Sequence, residues 1–230
     1  METYTVLLSR EVRVPVPEIA VPIAEALGRA PGEVTRGLKE SPWVLVRDVP
    51  AIRLDAVFDA LNAARVPAKA VPEAWLPRLP PPLLVRVADP LPRGLFLQSA
   101  EPPAPPVLPW TELALVSMGL VNLGSEEHYL VDLVSEGEDA IRLRVDGIDF
   151  SHDYLGPRMK SSTRENLKLF LGDVMTRAPD ARFTLKTIAF MNGELTAAFR
   201  FATVPAFEDY TQWVLEEVAE EEEEEEVEAG

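Results

Sequence analysis

The sequence predicts an α+β protein with two folded domains, and three observations carry that prediction. Residues 1–75 interleave β-type and amphipathic helical segments in the order β-α-α-β-α-β. Twelve prolines fall in the 38 residues from Pro72 to Pro109, which marks a break in the chain. Residues 110–215 open on long apolar, β-rich runs and then carry a capped amphipathic helix. The expected layout is a docking-type domain over 1–75, a proline-rich linker over 76–109, a second α+β domain with an antiparallel sheet over 110–215, and an acidic, disordered tail over 216–230.

The first strand is expected at Tyr4–Leu8, a β-rich run. Pro22 fits the first turn of a short helix that stops at Gly28, and Pro31 can open a second helix. Val34 and Leu38 share one face of that second helix, which Ser41-Pro42 ends. Trp43–Val46 reads as a second strand. Leu54, Val57, Phe58 and Leu61 then fall at i, i+3, i+4 and i+7, the spacing of an amphipathic helix. Ala68–Val71 closes the set as a third strand, with Pro67 assigning it to an edge.

This order and spacing resembles the C-terminal domain of the bacterial ribosomal stalk protein. The matching phrases are Leu38-Lys39-Glu40-Ser41-Pro42 and Leu61-Asn62-Ala63-Ala64-Arg65-Val66, both structural rather than chemical. The resemblance implies a fold and a docking role. It does not carry over recruitment of translational GTPases. That family's partner face bears several lysines and glycines, whereas here Arg29, Arg36, Lys39, Gly28, Gly32 and Gly37 are all that the region offers.

Proline at the density of Pro80-Pro81-Pro82 and Pro102-Pro103-Ala104-Pro105-Pro106 favours an extended spacer over a packed element. Leu83–Val87 and Gly94–Leu97 interrupt it with apolar runs that suit edge strands lying along a domain.

In the second domain, strands are expected at Leu113–Val121, His128–Val134 and Ala140–Val145, the last alternating apolar residues with Arg as a half-buried strand does. Gly137 marks the hairpin between the last two. After an irregular connector, Ser162-Thr163-Arg164-Glu165 forms a capping box for a helix whose stripe is Leu167, Phe170, Leu171, Val174 and Met175. Two further strands are expected at Arg182–Phe190 and Leu195–Phe201 around Asn192-Gly193, followed by a helix over Phe207–Val218. The segment Asp153-Tyr154-Leu155-Gly156 with Asn166 in the following helix resembles a set of uncharacterised bacterial proteins, a likeness that implies no activity. A strand-rich sheet followed by a helix is also distantly similar to pleckstrin-homology-like barrels.

The net charge of −16 sits mostly in the tail. Ten glutamates lie between Glu216 and Glu228, so the rest of the chain carries only −6. No global positive field exists for nucleic acid, and nucleic-acid binding is not expected. The seven consecutive glutamates Glu220–Glu226 read first as a solubilising terminus and second as a tail for a basic partner. No apolar run reaches the length of a membrane span and no secretory signal opens the chain, so a cytoplasmic protein is expected.

With no cysteine, no His-Glu-x-x-His and no calcium-loop spacing, neither a metal nor another cofactor is expected. Neither a phosphate-binding glycine loop nor a nucleophile elbow is present. Ser151, His152 and Asp153 adjoin in sequence, where a local turn explains them better than a triad whose members must converge from separate segments. Arg158, Lys160, Arg164 and Lys168 form the one basic concentration.

The expected function is a non-catalytic adaptor or regulatory protein meeting a protein partner. The alternatives are an enzyme using the 149–158 connector and an anion or phosphate sensor using the 158–168 cluster. Any site is expected at Tyr154, Arg158, Arg164 and Asn166, as aromatic contact, two anion clamps and an amide pair. Catalytic and metal-ligating residues are not assigned.

Overall fold

The β-rich run at the N-terminus pairs on both sides. In this computed structural model, which describes residues 2–101, 105–137 and 139–229 (side chains at 99–101 and 218–229 excepted), β1 (Thr3–Leu8) lies between β2 (Val44–Pro50) and β3 (Ala68–Pro72). Both pairings are antiparallel. The connections hold α1 (Val16–Leu27), α2 (Pro31–Glu40) and α3 (Leu54–Ala63). The chain is α+β and divides into two units, one running to Arg78 and resuming at Glu208, the other Leu79–Phe207.

The first helix begins six residues before the expected position, so Pro22 lies inside α1 rather than opening it. A proline there removes one i→i−4 hydrogen bond. The helix persists because Ile19, Ala20, Ile23 and Ala24 form a buried stripe around it. Gly28, at φ 67°, ends α1 in the left-handed conformation that glycine adopts without strain.

The last helix, α6 (Val204–Ala229), completes this first unit from Glu208 onward. Thr5 and Leu7, on one face of β1, line a shallow recess with Val44, Gln212 and Trp213. Val6 and Leu8 point to the opposite face and are buried as well. The sheet is therefore covered on both faces. The Trp213 indole N–H donates to the Leu8 carbonyl at 2.8 Å and Tyr210 stacks on Trp43 at 4.8 Å. The expected acidic tail over 216–230 begins within this helix. Glu216 is buried and ion-paired with Lys69, and α6 runs on to Ala229. Packing of the turns before Glu216 removes the nucleation cost that a glutamate run could not meet alone.

The second unit is built on an eight-stranded sheet in which the expected linker takes part. β4 (Pro82–Leu91), β5 (Gly94–Glu101) and β6 (Val107–Pro109) form an antiparallel meander, and β4 joins β9 (Arg142–Asp146) in parallel. β7 (Leu113–Leu123) and β8 (Glu126–Ser135) continue antiparallel from β9. Pro82 and Pro109 sit at strand ends and Pro92 in a turn, where no ladder N–H is needed, and Pro90 lies one residue from the end of β4. Val85, Ala88, Leu95, Leu97 and Leu108 are buried in the common core, which is what decides the segment's fate. The part of the expected proline run at 102–104 lies outside the described residues.

The expected strands at Arg182–Phe190 and Leu195–Phe201 are mostly helical. Only β10 (Arg182–Phe183) and β11 (Arg200–Phe201) pair, each in parallel with β7, and α5 (Leu185–Met191) and a 3₁₀ turn at Thr196–Phe199 lie between them. Thr184 caps α5, its hydroxyl accepting from the Thr187 N–H at 3.2 Å. Asn192-Gly193 then ends that helix, with Gly193 at φ 79°. The parallel pairs separate this sheet from the antiparallel barrel of the pleckstrin-homology likeness. At Gly119 on β7 an added Cβ would come within 2.6 Å of the Phe201 ring, so the position needs glycine for close packing.

The helix expected from the capping box is α4 (Thr163–Arg177), although the Ser162 side chain makes no cap hydrogen bond. Its Leu167, Phe170, Leu171 and Val174 share a core with Val131, Leu133, Leu143 and Val145. The alternating Arg residues of β9 are not solvent-facing as expected. Arg142 and Arg144 are buried beside Asp132, the Arg144 fork donating to both its oxygens at 2.7 and 2.8 Å.

Candidate functional site

The connector after β9 is held by its own backbone. Ile148 and Phe150 N–H groups bond Asp146, and the Ser151 N–H reaches the Arg86 carbonyl at 2.8 Å. A 3₁₀ segment, Asp153–Arg158, follows, kinked at Gly156 (φ 50°, ψ −122°). Phe150 and Tyr154 place their rings 5.2 and 6.4 Å from Phe170 of α4, so the connector is pinned by aromatic packing.

The four expected site residues divide between separate arrangements. Tyr154 and Arg158 converge on Asp173 of α4. The phenol donates at 3.3 Å, and the guanidinium fork donates to both carboxylate oxygens at 3.0 and 2.7 Å. Burial, with the Asp173 charge beside it, pushes the Tyr154 phenol well above its ordinary value. The Arg158 hydrogen bond holds the Asp173 carboxyl below the usual carboxylate range. Arg164 instead donates to the Glu194 carbonyl at 3.1 Å, with its guanidinium over the Phe190 and Phe199 rings. Asn166 clamps the connector, its Oδ1 accepting from the Lys160 N–H at 2.7 Å and its Nδ2 donating to the Lys160 carbonyl at 3.0 Å.

Asp173 is the residue sequence reasoning missed. The signal was available, because Asn166 and Asp173 lie seven apart with Phe170 between them, polar positions on an otherwise apolar helix face. Arg158 presents its fork to a carboxylate already in place, so its geometry is that of a latch between connector and helix.

The Ser151-His152-Asp153 trio forms a local turn in which the Ser151 hydroxyl accepts from the Asp153 N–H at 3.2 Å. His152 is only 8% exposed, its ring edge-on to Phe150, and neither ring nitrogen has a hydrogen-bond partner among the described residues. Burial pushes this imidazole below its ordinary value, with Asp153 acting weakly the other way. The folded ring therefore binds fewer protons than the unfolded one. Its contribution to stability is full above about pH 6.5 and is lost as pH falls from there toward the lowered folded value. A His152→Phe chain is expected to melt at a more constant temperature between pH 7.5 and 5.5 than the wild type; equal slopes would contradict the assignment.

On β8 and β9, His128 Nδ1 lies 2.6 Å from Oδ2 of Asp146, whose Oδ1 accepts from the Ile148 N–H at the start of the connector. Among the described residues no three acidic, histidine or cysteine side chains are placed to hold a metal ion. No described helix is long and apolar enough to cross a membrane. No family model, curated protein or solved structure matches the chain.

Proposed function

We propose that the chain is a non-catalytic adaptor acting through protein–protein interaction, with the first unit as its docking module. The observation that carries this reading is a pair of large apolar side chains left in solvent, Ile52 at 86% and Trp75 at 78% exposure. Both follow strands that flank the start of β1. Pro50 pairs with Thr3 and Pro72 with Tyr4, so the two residues sit at the same end of the sheet. Single exposed apolar residues are ordinary, but an indole and an isoleucine at one end of a small sheet suit an interface core. The β-α-α-β-α-β order shared with the stalk-domain resemblance supports the same role. The anion-sensor alternative draws less support, since Arg158 already holds Asp173.

The test is the full chain with Ile52→Asp and Trp75→Asp together, compared with wild type for partner capture from native extract. Surface changes of this kind are expected to leave stability within about 0.5 kcal/mol. Loss of captured proteins at an unchanged melting temperature supports the reading, and an identical captured set refutes it.

A further inference from the structure

Both ring nitrogens of His152 are buried without a hydrogen-bond partner among the described residues, and the ring packs edge-on against Phe150. A neutral imidazole tolerates such a place. An imidazolium does not, because its two N–H donors would have neither water nor an acceptor. The ring sits in the middle of the connector, which is held to its surroundings on both sides of it. Before it, the Ser151 N–H donates to the Arg86 carbonyl of β4 at 2.8 Å, and Phe150 packs on Phe170 of α4. After it, Tyr154 and Arg158 converge on Asp173, in an ion pair whose arginine side chain is 53% exposed. Exposed ion pairs contribute little, so much of the hold rests on the buried packing of Phe150, His152 and Leu155.

We propose that the connector 148–160 is an acid-sensitive latch, in which proton uptake by His152 lifts the segment from β4 and α4 while the sheet stays folded. No acid stands ready to hold the proton in the closed state. The charged side chain that acts on the ring is that of Asp153, next to it in the chain, and it favours the imidazolium less than burial opposes it. On α4, the Asp173 carboxylate is already taken by Arg158 and Tyr154, with Arg177 beside it. On β4, Arg86 is exposed and carries the same sign of charge that the ring would gain. Protonation therefore favours the lifted state, where water reaches both nitrogens. Lifting uncovers the Phe170 ring and separates the Arg158 fork from the Asp173 carboxylate, so acid turns a closed ion pair into two free charges beside an apolar face. The latch lies wholly in the second unit and does not rest on the docking reading.

The test is amide exchange of the full chain, followed by NMR at pH 7.5 and pH 5.5, with each rate divided by the intrinsic rate at that pH. The Ser151 N–H is the reporter, because its bond to Arg86 exists only while the connector lies on β4. Its opening constant is expected to rise severalfold from pH 7.5 to pH 5.5, with about tenfold as the limit for one proton taken up at the ordinary imidazole value. At both pH values the Ser151 amide is expected to exchange faster than the β8–β9 ladder, which marks local rather than global opening. In a His152→Phe chain the rise is expected to vanish. The wild-type imidazole signals give an answer that needs no folded variant, since those of His152 are expected to titrate below the ordinary histidine value. A wild-type Ser151 opening constant that is the same at both pH values overturns the proposal, as does an equal rise in His152→Phe or a His152 ring that titrates at or above the ordinary value. Exchange of Ser151 in step with the β8–β9 ladder overturns it too, because the connector would then leave only when the whole unit unfolds.

Discussion

A chain ending at Phe207 is expected to lose the fold of its N-terminal unit. Deletion of residues 208–230 uncovers the Thr5–Leu7 face of the sheet and removes Tyr210, Trp213 and Val214, all buried. Truncating one buried aromatic costs about 3–5 kcal/mol, while a whole domain is held by about 5–15 kcal/mol. Two aromatics and their hydrogen bond consume most or all of that margin. Melting followed by circular dichroism is expected to show one transition lost, and proteolysis is expected to digest residues 1–78 rather than release them as a stable fragment. A chain ending at Glu217, by contrast, is expected to melt within a few degrees of wild type, since it keeps every anchor named above. Retention of the full wild-type transition after removal of 208–230 would show that α6 is not part of this unit's core.

The local elements of the first 75 residues were legible because each is decided by neighbours in sequence. Val57 and Leu61 are one helical turn apart and both are buried, and Pro67 stands at the entry to an edge strand. What covers the other face of β1 was not legible, since Trp213 and Leu8 lie 205 residues apart. The same limit explains the region 76–109. Proline content describes the unpaired chain, whereas pairing of Pro82–Val85 with Arg142–Val145 depends on a strand 60 residues away. At the candidate site, the partners of the expected residues were not legible. Nothing near Arg158 in sequence points to Asp173, which is fifteen residues distant and meets it only through the docking of the connector on α4.

Replacement of Asp132 by alanine is expected to be the most damaging single change in the second unit. Asp132 is fully buried, and it accepts the bidentate fork of Arg144 while Arg142 Nε lies 3.6 Å from its second oxygen. The three residues come together because Asp132 pairs directly with Arg144 across β8 and β9, and Arg142 lies two positions earlier on the same face. Removing the carboxylate leaves two buried guanidinium groups without the charge that both face. Breaking a buried pair in this way costs about 3–5 kcal/mol, where an exposed pair is worth about 0–1 kcal/mol. For a unit of this size the melting temperature is expected to fall by about 10–20 °C. Asp132→Asn keeps one acceptor and is expected to fall between alanine and wild type. The triple change Asp132→Leu with Arg142→Met and Arg144→Met tests the cause, because it removes both guanidinium charges together with the carboxylate and fills the volume with apolar groups that can pack on Phe207, over which the Arg144 guanidinium now lies at 5.6 Å. Recovery of most of the lost stability in the triple variant assigns the damage to the unbalanced charge. A triple variant no better than Asp132→Ala would assign it to lost packing instead, and an Asp132→Ala chain that melts like wild type would show that the carboxylate does not hold this sheet together.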